Sequence, residues 1–157
     1  MSATEVLRVL ILRDFAAKQR YALSSLMEPD FVDIRIVSLE DDMMVVSPKD
    51  LSLFYVYLKL SATPPPLWQH HFKNARKVSR HPHWREAWID RKFIIVECLT
   101  DELEKYHLND LRQDIAYANK LYREHVRLQS HAERQQEKAQ ASEREKLRDL
   151  KDRLNFD

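Results

Sequence analysis

The absence of glycine is the feature that most restricts what this 157-residue chain can fold into and do. Loops that wrap a phosphate or expose a nucleophile use glycine, because their backbone takes positive φ or approaches a ligand with no Cβ in the way. The Walker A loop, the dinucleotide-binding fingerprint and the nucleophile elbow all depend on this property. The sequence therefore disfavours enzymes built on these loops, and its turns must rely on Asn, Asp and Pro.

No other catalytic motif or metal-ligand spacing stands out. The sequence contains neither a CxxC nor an HExxH pattern, and the pairs His70-His71 and His81-Pro82-His83 supply too few converging ligands. The one cysteine, Cys98, falls on an apolar strand pattern, where a thiol is usually an inert small hydrophobic group. We therefore expect a protein that is not an enzyme and that holds no metal and no cofactor.

Charge and cysteine usage bear on the compartment and on the partners. Lys plus Arg number 26 against 25 Asp plus Glu, so the formal net charge is +1 and a global polycation is excluded. A single cysteine cannot form an intramolecular disulfide, which is typical of a reducing compartment. No run approaches the roughly 20 apolar residues of a membrane span, and no basic segment precedes an apolar core at the start. These features predict a cytoplasmic protein without a membrane partner.

Local periodicity predicts a mixture of strands and helices. Residues 6–12 fit a strand or the start of an apolar helix, and Asp14 could cap a helix over residues 15–27. Strands are predicted over 31–40, 43–47 (after a turn at Asp41-Asp42), 51–60, 88–90 and 92–98. Helices are predicted after Thr63 and after Thr100, each with that threonine as its capping residue.

This order of elements predicts an α+β fold, with a mainly antiparallel sheet, helices packed on it and a long C-terminal helix. A ferredoxin-like β-α-β-β-α-β core is the specific version that we favour. The composition becomes strongly charged and almost free of aromatic residues beyond Arg123. We therefore expect residues 1–128 to form a compact α+β core and residues 129–157 to form a charged helical extension.

One basic and aromatic segment is a candidate binding site. Residues 69–92 hold seven Lys or Arg residues against two acidic ones, a net charge of +5, with tryptophans interleaved. Single-stranded nucleic acid is bound by this combination, because phosphates take the charges and bases stack on the rings. The candidate residues for nucleic-acid or anion binding are Lys73, Arg76, Lys77, Arg80, Trp84 and Arg85. The alternative is that the rings belong to the core and the charges to a solvated helix face.

The C-terminal extension is the second candidate. Leu147, Leu150 and Leu154 recur at spacings of three and four and so form a short apolar seam on a helix. A coiled coil usually shows such a seam over three or four heptads, so this one is short. The helix could also break near Ser142. We expect a non-catalytic module for protein binding or assembly, in which this helix contacts a protein partner or a second copy to form a homo-oligomer. The alternative function is a small nucleic-acid-binding protein that uses residues 68–92.

Overall fold

The computed structural model describes residues 31–156. Four strands and two longer helices make up this part of the chain, together with a short helical entry to the second long helix. Their bounds are β1 Ile36–Val46, β2 Phe54–Leu60, α1 Pro66–Ala75, β3 Ala87–Asp90, β4 Phe93–Cys98, α2 Thr100–Glu102, a π-helical segment Leu103–His107, and α3 Leu108–Arg153. The predictions for residues 6–12 and 15–27 lie outside the described residues.

The four strands form one antiparallel sheet in the order β1-β2-β4-β3, so the predicted α+β class is confirmed. Both β2 and β3 run antiparallel to β4, and they are therefore parallel to each other with β4 between them. Helix α1 connects them, which is the split β-α-β arrangement of ferredoxin-like sheets. The described chain differs from that fold in one respect: its other edge strand, β1, precedes β2 instead of following the last helix.

The strands predicted over 88–90 and 92–98 are present as β3 and β4 and form a hairpin across Arg91, with Asp90 paired to Phe93. Arg91 has φ 54°, and no other described residue has a positive φ. A side chain in this left-handed region costs about 1 kcal/mol, which glycine would avoid. A chain without glycine thus makes its tightest described turn with an arginine, whose side chain is 80% exposed.

Three local predictions are wrong. Asp41-Asp42 does not turn the chain, because β1 continues to Val46 and absorbs the change as an irregularity in its register with β2 between Glu40 and Val45. Neither predicted threonine caps its helix. The N-cap of α1 is Pro65 and that of α2 is Leu99, and no side chain caps either end.

The core lies between one face of the sheet and the apolar sides of α1 and α3. Alternate residues of β4, namely Ile94, Val96 and Cys98, are fully buried, as the strand pattern predicted. Trp68 and Phe72 of α1 are also buried, with their rings stacked at 5.7 Å. The buried residues of α3 include Leu111, Ile115 and Ala118, which follow a helical spacing of three and four, but also the polar residues Asp114 and Asn119.

Asn119 joins three parts of this core. Its Oδ1 accepts hydrogen bonds from the Trp68 indole Nε1 at 2.8 Å and from the Ile34 backbone N–H at 3.0 Å. Its Nδ2 donates to the Ile34 carbonyl at 2.8 Å. The buried amide therefore satisfies polar groups from α1 and from the segment before β1, groups that would be costly to leave without partners.

Helix α3 is continuous over 46 residues, about 70 Å at 1.5 Å per residue, and does not break near Ser142. Residues Val32–Glu124 form one compact unit, and the part of α3 from His125 onward belongs to a second unit. The division into residues 1–128 and 129–157 stays a prediction. None of the described helices is long and apolar enough to cross a membrane.

Candidate functional site

A cleft between α1 and the segment that enters β3 brings most of the basic and aromatic candidates together. We call it the α1–β3 cleft; it has a volume of about 580 Å³, which is in the range of small-ligand sites. Its lining among the described residues consists of Pro66, Gln69, His70, Phe72, Lys73, Arg76 and Lys77 from one side, and Trp84, Arg85, Glu86, Ala87, Trp88 and Ile89 from the other.

The α1 side of the cleft presents a polar row. His70, Lys73 and Lys77 follow one another at spacings of three and four residues, so they share one side of the helical turns. Both lysines are exposed, and neither makes an ion pair within the described part of the chain. These two ammonium groups are therefore available to an anion that enters the cleft.

Arg76, Arg80 and Arg85 are in a different situation, because carboxylates of α2 and α3 hold them. Asp114, whose side chain is 1% exposed, accepts from Arg76 Nη1 at 2.6 Å and from Arg80 Nη2 at 2.7 Å. Arg76 also donates to the Arg85 carbonyl at 2.9 Å. Burial raises the pKa of Asp114 and lowers that of Arg76, and the contacts between the two groups oppose both shifts without cancelling them.

Trp84 is the aromatic centre of this ion-pair cluster. The Arg76 guanidinium lies 4.2 Å from the indole centroid and that of Arg80 lies 4.9 Å away, both within cation–π range. The Trp84 ring therefore lines the cleft, and the guanidinium groups of Arg76 and Arg80, both bound to Asp114, fix its position.

A second carboxylate holds Arg85. Glu102 accepts two hydrogen bonds from the guanidinium, each at 3.0 Å, in a bidentate pair. This contact lowers the pKa of Glu102 to about 2. His107 is buried at the end of the π-helical segment, with Nε2 3.2 Å from the same carboxylate, and burial lowers its pKa. A neutral His107 then donates its Nε2–H to Glu102.

The structure thus divides the predicted site residues. Lys73, Arg76, Lys77, Trp84 and Arg85 line one cleft, while Arg80 does not line it and bridges Trp84 to Asp114. Sequence reasoning missed Trp88 as a lining residue and missed Asp114 and Glu102 as counter-ions. One signal was available: Asp114 interrupts the apolar side of α3 between Leu111 and Ile115.

Two of the histidines, His81 and His83, contact α3 and the π-helical segment before it. His81 Nε2 is hydrogen-bonded to Asp110, and the His83 ring stacks on Tyr106 with centroids 3.9 Å apart. Among the described residues, no group of three or more His, Cys, Asp or Glu side chains is placed to hold a metal ion. Burial raises the pKa of the Cys98 thiol to about 11, so the thiolate is scarce at neutral pH.

The second candidate surface lies at the end of α3. Every residue from His131 to Phe156 is exposed, including the leucine seam, with Leu147 at 63%, Leu150 at 41% and Leu154 at 45%. Leu154 follows the last helical residue, and its N–H still donates to the Leu150 carbonyl at 3.0 Å. The three leucines therefore lie on one helical side, and no described residue covers them.

Comparison of the chain with protein-family models, with curated proteins and with solved structures found no match in any of the three.

Proposed function

We propose that this protein is a non-catalytic interaction module that binds another helix through the leucine seam of α3. The observation that carries the proposal is the exposure of Leu147, Leu150 and Leu154 within a helical stretch that buries none of its residues. Helices in proteins gain most of their stability from packing an apolar side against another element. A partner helix on the seam would supply that packing and remove the leucines from water.

Charges beside the seam favour a partner of a particular kind. With Leu147 and Leu154 at heptad position a and Leu150 at d, the flanking e and g positions are all basic: Arg144, Lys146, Lys151 and Arg153. Residues at e and g choose the partner of a coiled coil, because they face the corresponding positions of the other helix. A second copy paired through this seam would bring like charges together, whereas an acidic amphipathic helix would meet opposite ones.

The neighbouring acidic side chains do not remove this bias. Lys146 is 2.9 Å from Glu143, but both side chains are about 70% exposed, so the pair contributes little. Glu145, Asp149 and Asp152 fall at positions c and f, away from the seam. An acidic helix with leucines at a and d is therefore the partner that fits, and the homo-oligomer is the less favoured occupant.

The test uses the full-length chain and two synthetic helical peptides of about four heptads, both with leucine at a and d. One peptide carries Glu at e and g, and the other carries Lys there. We expect calorimetry to show binding of the acidic peptide only. Replacing Leu147, Leu150 and Leu154 with Ser should abolish it, while Leu128→Ser, at an exposed leucine of α3 outside the seam, should not.

Charge reversal then tests the choice of partner. Changing Arg144, Lys146, Lys151 and Arg153 to Glu should transfer binding from the acidic to the basic peptide, whereas Lys138→Glu with Arg148→Glu, at positions f and b, should leave the preference unchanged. Light scattering reports self-association in the same samples. If the protein forms a homodimer that is lost in the leucine variant, the helix on the seam is that of a second copy and not an acidic partner helix. No binding and no self-association would refute the function itself.

A further inference from the structure

We infer that the α1–β3 cleft binds an anionic ligand that carries a flat ring, of which a nucleotide unit is the representative. The volume of about 580 Å³ accommodates one such unit, and the cleft offers apolar and aromatic walls with a few polar groups. The inference concerns a surface distinct from the leucine seam, so neither proposal depends on the other.

Lys73 and Lys77 are the groups that would take the negative charge. Arg76 and Arg85 also line the cleft, but Asp114 and Glu102 already compensate their charges at hydrogen-bond distance. Among the described residues of the lining, Glu86 is the one acidic residue, against the two lysines. A phosphate beside Lys73 and Lys77 therefore meets the two cations of this lining that have no ion-pair partner in the described chain.

Trp84 is the group that would take the ring. It lines the cleft and is partly exposed, and the Arg76 guanidinium at 4.2 Å fixes its position. Trp88 also belongs to the lining, but its register in β3 places its side chain on the other face of the sheet, in edge-to-face contact with Tyr55 at 5.0 Å. Rings held in place lose little entropy when a ligand stacks on them, and stacking of this kind tolerates different bases.

Two sources could present this chemistry, a free nucleotide or a base in a single strand of nucleic acid. The measurement is tryptophan fluorescence of the full-length protein at low salt, titrated with AMP, UMP, adenosine, inorganic phosphate, and single-stranded oligonucleotides of about eight nucleotides. We expect nucleotide or oligonucleotide to quench the emission, with adenosine and phosphate at least about tenfold weaker, because each lacks half of the contacts. Binding of AMP or UMP would indicate a free nucleotide, and binding of the oligonucleotide alone would indicate a strand.

The variants decide whether this cleft is responsible. Lys73→Ala with Lys77→Ala should weaken binding at least about tenfold. The slope of log K against log salt concentration should become shallower by about 0.7 for each phosphate that is no longer neutralised. Lys92→Ala with Lys120→Ala changes the net charge equally at exposed lysines outside the cleft and should leave the affinity within about twofold. Each lysine is exposed, so circular dichroism should report the same fold for both variants.

Three results would overturn the inference. The first is no quenching by any nucleotide or oligonucleotide at low salt. The second is equal binding by the wild type and the Lys73/Lys77 variant, or equal weakening in the Lys92/Lys120 control. The third is an affinity for inorganic phosphate equal to that for the nucleotides, since the ring would then contribute nothing to binding. The leucine variants of α3 should bind as the wild type does, which separates this result from the test of the helix partner.

Discussion

Replacing Asp114 with alanine should destabilise the protein strongly, because Asp114 is the buried counter-ion of two arginines. Its side chain is 1% exposed and that of Arg76 is 7% exposed, with 2.6 Å between the bonded atoms. Removing one partner of a buried ion pair typically costs about 3–5 kcal/mol, since the other charge stays buried and uncompensated. The Arg80 side chain is 36% exposed and can turn to solvent, so its lost ion pair should add at most about 1 kcal/mol to the destabilisation.

The assay is urea unfolding followed by circular dichroism and tryptophan fluorescence at neutral pH. We expect Asp114→Ala to lower the free energy of unfolding by about 3–5 kcal/mol, a large share of the roughly 5–15 kcal/mol of a typical domain. The matched control is Asp90→Ala, which removes a 52% exposed carboxylate 3.6 Å from Arg91. It should change the free energy of unfolding by less than about 0.5 kcal/mol.

A double variant separates the buried charge from other effects. Arg76→Met with Asp114→Leu removes both charges and keeps the volume, so it should be less destabilised than Asp114→Ala alone. Its remaining loss, about 1–2 kcal/mol, reflects the Arg85 carbonyl left without the 2.9 Å hydrogen bond from Arg76. A loss below about 1 kcal/mol in Asp114→Ala, or a double variant no better than the single one, would refute the reasoning.

Three further outcomes are expected. The lowered pKa of Glu102, about 2 against an ordinary 4.5, implies stability that is present above pH 4.5 and is lost as the pH falls toward 2; in Glu102→Gln this part of the pH dependence of unfolding should disappear. Asn119→Ala leaves the Trp68 indole and both backbone groups of Ile34 without partners, and urea unfolding should show a loss of about 3 kcal/mol. Cys98, with its thiol pKa near 11, should resist iodoacetamide at pH 8 in the folded protein and react in urea; fast labelling of the native state would contradict its burial.

Much of the fold was predictable from the sequence because strands and helices follow from the short-range periodicity of apolar residues. Alternation predicted strands over 88–90 and 92–98, which the pairing of β3 with β4 bears out, and the buried Trp68 and Phe72 follow the helical spacing of four on α1. The exposure of the leucine seam could also be expected from the sequence, since a helix whose other residues are mostly charged has only a narrow apolar side. Even the arginine at positive φ is a consequence of composition, because a tight turn must form without glycine.

Tertiary structure alone decided how β1 is paired and which charges are compensated. Asp41-Asp42 has turn composition, yet pairing with β2 on both sides keeps the strand continuous. Asp114 lies 38 residues from Arg76, and Glu102 lies 17 from Arg85, so no local pattern connects the partners. The sequence determined that residues 69–92 are basic and aromatic. Only the packing of α2 and α3 against that segment decided that Arg76, Arg80 and Arg85 are held by carboxylates while Lys73 and Lys77 remain unpaired among the described residues, because ion pairs depend on distance in space and not along the chain.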